Sequence, residues 1–118
     1  MQKEKPFHTL DKAENLMNDV IMVTSHAPKK FRPNYVHMLQ ESAMAIFDDI
    51  LFGNEYRYDE EMRKKYQKQA GIHMKRLTRL LERAQRVQCI TMAEEADLGR
   101  QLAILQGMFE GWAGSKNI

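Results

Sequence analysis

A chain of 118 residues and 13.9 kDa, 43% hydrophobic and 29% charged, has the composition of one soluble folded domain and is too short for two ordinary ones. Its 18 basic residues exceed the 16 acidic ones only slightly, so net charge by itself excludes nothing and implies no partner class. No run of about 18 apolar residues occurs and no apolar segment follows the lysines of MQKEKPFHTLDK, so a single cytoplasmic domain, 1–118, is expected, with neither membrane span nor signal peptide.

The first helix is expected over about 10–26. Asp11 and Glu14 resemble a capping box, with Thr9 the other possible entry, and Ala13, Leu16, Met17, Val20, Ile21 and Thr24 repeat at three and four. Pro28 and Pro33 end it. Pro33 then suits the first turn of a second helix, about 33–53, because its missing N–H has no partner to lose there. Tyr35, Val36, Leu39, Ala43, Ile46, Phe47, Ile50 and Leu51 form its stripe, and Gly53 with Asn54 reads as its terminator.

The third helix, about 59–87, is the longest. At about 100° per residue, Met62, Tyr66, Ala70, His73, Leu77, Leu80, Leu81, Ala84 and Val87 share one sector. Lys64, Lys68, Lys75, Arg79, Arg83 and Arg86 occupy the opposite sector, with Lys65 and Arg76 at its edge. Gly71 in its interior marks either a close approach or a slight bend. Thr91 to Glu94, ThrMetAlaGlu, fits a capping box opening a fourth helix, about 92–113. Leu98, Leu102, Leu105, Phe109 and Trp112 make a bulky stripe on it, while Ala96, Gly99, Ala103, Gly107, Gly111 and Gly114 make a flat one. Either the flat face with Ala103, Gly107 and Gly111 is a subunit interface, or the helix stops early near Gly107. Four amphipathic helices on short links, with no strand-like alternation, give an all-α fold, an up-down-up-down four-helix bundle.

Charge is segregated along this plan. Between Arg63 and Arg86 the only acidic residue is Glu82, whereas from Ile90 onward Arg100 and Lys116 are outnumbered by Glu94, Glu95, Asp97 and Glu110. Spacing alone leaves the basic ridge with two readings, a solvated face or a surface that follows phosphates. No aromatic residue interleaves it, which favours backbone contact over base stacking.

Enzyme chemistry is not expected. None of His8, His26, His37 and His73 follows a glutamate at the three-residue spacing of di-metal bundles, no glycine-rich phosphate loop is present, and no metal or cofactor is implied. His73, on the apolar face, reads as a satisfied core or interface histidine, and Asp48 with Asp49 as a solvated helix face. Cys89 has no second cysteine for a disulfide or zinc site, which fits a reducing compartment. The nine methionines could form an adaptable binding surface, but at helical spacing they read as core filler.

KYQKQAGIHMKRLTRLLERA (Lys65 to Ala84), the capped entry Thr91 to Glu94, and GlyMetPheGluGlyTrp (Gly107 to Trp112) carry a family resemblance. Together they resemble the accessory variability determinant (Avd) proteins of diversity-generating retroelements, relatives of the four-helix bundles encoded in ribosomal-RNA intervening sequences. The resemblance implies a ring-shaped homo-oligomer, a barrel-like homopentamer with a central channel. It further implies a non-enzymatic partner of a reverse transcriptase that binds RNA or DNA during mutagenic retrohoming. It carries most directly onto Lys75, Arg76, Arg79 and Arg83, with Ala70, Gly71 and Trp112 as structural residues. Gly107 stands where family members often carry arginine. The alternatives are a ribosomal-RNA-associated bundle, and an adaptor whose basic face meets an acidic protein.

Overall fold

Among residues 7–114, which the computed structural model describes, the chain forms four α-helices and no strand: α1 His8–Thr24, α2 His37–Glu55, α3 Glu60–Arg86 and α4 Met92–Ala113. Lys116 lies outside the described residues.

Helix α1 starts two residues before the expected position and without a side-chain cap. The Phe7 carbonyl accepts the first amides, from Leu10 at 3.0 Å and Asp11 at 3.3 Å. Thr9 is turned into the core, and Asp11 lies 3.9 Å from His8, so the expected Asp11–Glu14 capping box does not form. At the other end the Thr24 hydroxyl donates to the Val20 carbonyl at 2.7 Å, and the helix stops there, two residues short of His26.

The link is more helical than expected. A 3₁₀ turn, Lys29–Phe31, runs into a π-turn, Arg32–Val36, and then into α2 without a break. Pro33 sits in that first turn, as its chemistry requires. Helix α2 does not terminate at Gly53 but continues to Glu55, and the glycine is needed for another reason. The Trp112 ring of α4 rests on it: a Cβ there would lie 2.6 Å from Trp112 Cη2 and 3.4 Å from Tyr66 Cβ. Phe7 and Phe109 meet Trp112 edge-on at 5.2 and 6.1 Å between centroids, closing this end of the molecule.

Helix α3 is capped by Asp59, whose carboxylate accepts the Met62 amide at 3.1 Å. Glu60 and Glu61 in its first turn and Arg83 and Arg86 in its last complement the helix dipole. It ends in a Schellman turn: Cys89 N–H donates to Ala84 O at 2.8 Å and Gln88 N–H to Gln85 O at 3.0 Å. Gln88 takes the left-handed position, φ 66°, that usually holds glycine. Helix α4 opens on the expected capping box, with Glu94 N–H donating to Thr91 Oγ1 at 3.0 Å and Thr91 N–H to Glu94 Oε1 at 2.9 Å. It runs on through Gly107 to Ala113, which removes the early stop.

Each helix packs on two others, α1 on α2 and α4, and α3 on α2 and α4, the arrangement of a four-helix bundle. Neighbours are antiparallel. Gly53 faces Tyr66 while Glu41 faces Arg76, and Phe7 meets Trp112 while Asp19 meets Gln101. Leu16, Val20, Leu39, Ile46, Ile50, Met74, Leu77, Leu98 and Leu105, all at most 1% exposed, meet along the axis. Each large aliphatic side chain so buried contributes roughly 1.5–3 kcal/mol of transfer free energy. Ile21 and Val87, expected in the stripes, are exposed.

Gly53→Ala is expected to destabilise the protein. The added methyl overpacks a site closed by Trp112 and Tyr66 at a cost of roughly 1–3 kcal/mol, against a helix-propensity gain of about 1 kcal/mol. Chemical denaturation checks this, and a midpoint at or above wild type contradicts the packing account.

Candidate nucleic-acid interface

The buried side of α3 determines what its other side can do. Ala70, Met74, Leu77, Leu81 and Ala84 are at most 2% exposed against the neighbouring helices, which turns Lys64, Lys68, Lys75, Arg76, Arg79, Arg83 and Arg86 into solvent. From Lys64 to Arg86 the ridge is about 33 Å long at 1.5 Å per residue, close to one turn of duplex at about 34–36 Å.

Its members are not equivalent. Lys64 is bound by Glu60 at 2.7 Å, which holds the Glu60 carboxyl below the usual glutamate range, and Arg76 reaches Glu41 of α2 at 3.7 Å. Among the described residues, Lys68, Lys75, Arg79, Arg83 and Arg86 have no carboxylate within ion-pair distance. Glu82, the one acidic residue of the segment, forms no ion pair there either. It lines a cleft of about 210 Å³ with Thr78, Leu81, Glu95 and Gly99. Lys75, Arg79 and Arg83 follow one another at four residues, and each such like-charge pair costs a few tenths of a kcal/mol in an isolated helix. The spacing therefore weakens the helix that carries it.

The flat face of α4 points away from the bundle. Ala103, Gly107 and Gly111 are exposed, and a Cβ added at Gly99, Gly107 or Gly111 meets nothing within 4 Å. No close approach among the described residues accounts for these glycines. Gly71 is likewise undemanding, since a Cβ there would touch the Phe109 ring at an ordinary 3.8 Å.

Two features lie outside the expected set. Asp49 is not part of a solvated face but is 7% exposed, and His73 Nδ1–H of α3 donates to its Oδ2 at 2.8 Å. Desolvation raises the Asp49 carboxyl above its ordinary 3.8, with the Asp48 charge a lesser contributor, while the bond and charge of His73 pull it down. Asp48 itself is exposed. The pair is thus a polar tie between α2 and α3, and His73 is the satisfied histidine its position suggested. The second feature is an aromatic cluster at the α2–α3 turn. Tyr56 stacks on Tyr66, 5.9 Å between centroids and 5° between planes, and Phe52 lies 5.7 Å from Tyr66. Tyr58 in the link is 82% exposed.

Among the described residues no three His, Cys, Asp or Glu side chains come together as a metal site, and no helix is long and apolar enough to cross a membrane. Cys89 is buried beneath the α3–α4 turn, and burial, with a lesser push from Glu94, raises its thiol pKa. Neither the models of known protein families nor the curated proteins give a match to this sequence.

The Asp49–His73 tie carries a pH signature. A carboxyl whose pKa is higher folded than unfolded binds its proton more tightly in the native state, so it favours folding most below 3.8. That contribution declines as pH rises through the raised value. In urea titrations across this range, the stability of wild type minus that of Asp49→Asn is expected to fall with rising pH. A constant or rising difference contradicts it. His73→Ala, which strands the carboxylate, is expected to cost about 2 kcal/mol at neutral pH.

Proposed function

We propose that the protein is a non-enzymatic nucleic-acid-binding accessory protein that partners a reverse transcriptase in the mutagenic retrohoming of a diversity-generating retroelement. The observation that carries the binding is the run Lys68, Lys75, Arg79, Arg83 and Arg86, exposed and without carboxylate partners among the described residues. The helix dipole accounts for Arg83 and Arg86 alone, and like charges at four-residue spacing weaken a helix rather than support it. Cations along one ridge bind phosphates by releasing their counterions, with little dependence on base sequence.

The reverse-transcriptase partnership rests on the resemblance of Lys65 to Ala84, Thr91 to Glu94 and Gly107 to Trp112 to accessory variability determinant proteins. So does the homopentamer. Its subunit contact is assigned to the outward face of α4 with Ala103, Gly107 and Gly111, where three glycines have open space in front of them. In a closed ring the α3 ridge repeats once per subunit, so modest contacts add through multivalency.

The test combines mass and binding. Purified wild type is expected to have the mass of five chains and to bind duplex DNA and structured RNA at low salt. Reversing charge at Lys75, Arg76, Arg79 and Arg83 is expected to weaken binding at least tenfold with mass and helicity unchanged. A folded, assembled variant that binds like wild type overturns the ridge assignment. Absence of binding by wild type at low salt turns the reading to an adaptor for an acidic protein.

A further inference from the structure

The ridge accounts for phosphate contact but not for the aromatic surface at its N-terminal end. Phe52 and Tyr56 from the end of α2 are 43% and 41% exposed, Tyr58 from the link is 82% exposed, and Tyr66 of α3 is half-buried between them. Tyr66 packs with both Phe52 and Tyr56, the latter almost parallel, so the rings are held in place before any ligand arrives. The faces these rings leave in solvent add nothing to the core, and their order reduces the entropy lost on binding.

Cations accompany the rings. Lys65 Nζ stands 5.8 Å from the Tyr66 ring centre and the Arg57 guanidinium 5.0 Å from that of Tyr58. From Lys65 the next exposed cation on the ridge is Lys68, about 4.5 Å further along the axis. The carboxylates flanking the rings in the chain are Asp48 and Glu55 on α2, Asp59 at the N-cap of α3, and Glu60 and Glu61 in its first turn. Of these Glu60 is taken up by Lys64. The open path for a polyanion therefore leaves the rings through Lys65 toward Lys68 and Lys75.

We infer that Phe52, Tyr56 and Tyr66, with the exposed Tyr58 next to them in the chain, form a stacking platform for the unpaired bases of single-stranded RNA or DNA, whose phosphates continue onto the α3 ridge through Lys65 and Lys68. This rests on the nucleic-acid reading above and adds the kind of strand that is preferred. An aromatic ring accepts the face of any base, so the platform is indifferent to sequence. Bases of a duplex already stack on one another and keep their faces inside, so a duplex engages the ridge alone. Continuity with the exposed cations of the ridge, from Lys65 to Lys68 and Lys75, favours this occupant over an apolar protein segment.

Binding is measured for the full-length protein with an oligothymidylate of about twenty nucleotides, longer than typical single-strand sites, and with a duplex of equal length. Tyr56→Leu/Tyr58→Ala changes two exposed rings, and Tyr66→Leu, checked for folding by circular dichroism, removes the central one. Each is expected to weaken oligothymidylate binding about tenfold while leaving duplex binding within about twofold. An iodouracil-substituted oligonucleotide irradiated on wild type is expected to crosslink to Tyr56, Tyr58 or Tyr66. Unchanged oligothymidylate binding in a folded Tyr56→Leu/Tyr58→Ala variant, or crosslinks confined to other residues, overturns the platform and leaves these rings to a protein partner. In that case duplex binding that still depends on the ridge leaves the broader nucleic-acid reading standing. Binding of neither probe by wild type overturns both.

Discussion

One side of α3 has to be buried for the rest of this molecule to exist. The helix carries a line of cations that repel one another, and alone in water it would be strained by them. Its hold on the bundle comes from Ala70, Met74, Leu77, Leu81 and Ala84, packed against α2 and α4. Burial of apolar area is non-directional, so it fixes which side faces inward without restricting what stands on the other. The ridge is free to follow function because the stripe opposite secures the helix. The Asp49–His73 bond and the Gly53–Trp112 contact then set how α2 sits against its neighbours.

Much of this plan was legible in the sequence, and the parts that were not have definite causes. The four helices, the Thr91–Glu94 box and the place of Pro33 each follow from residues close together in the chain. Gly53 reads as a terminator because local chemistry offers glycine that role, while its actual constraint comes from a tryptophan 59 positions away. The turn after α3 hides for the opposite reason: its left-handed residue is Gln88, so no glycine marks it. At the start of α1, the apparent box of Asp11 and Glu14 loses to burial of Thr9, which begins the helix earlier. At Gly53 and at the start of α1, tertiary packing overrode a weak local signal.

The candidate site divides in the same way. The exposure of Lys64, Lys68, Lys75, Arg76, Arg79, Arg83 and Arg86 follows from helical periodicity alone, because one face of one helix carries them all. The pairing of Arg76 with Glu41 required knowing that α2 runs antiparallel beside it. Asp49 looked solvated because neither its neighbour Asp48 nor its own helix shows the histidine that satisfies it. The aromatic surface was the least visible, since Phe52 and Tyr56 at the C-terminal end of α2 stand ten and more positions from Tyr66 of α3 and converge on it only in the folded chain. Their absence from the ridge's own face argued against stacking, whereas the fold sets Tyr66 and its neighbours beside its N-terminal end.

The central claim is that α3 presents its cations to phosphates, and counterion release gives that claim a quantitative signature. The most direct measurement is duplex DNA affinity as a function of salt concentration. With Lys68, Lys75, Arg79, Arg83 and Arg86 engaged, log affinity is expected to fall with log salt at a slope of about −4 or steeper per chain bound. Neutralising any one of the five to glutamine should reduce the slope by about one. A salt-independent affinity, or a slope that survives these substitutions, would contradict the account.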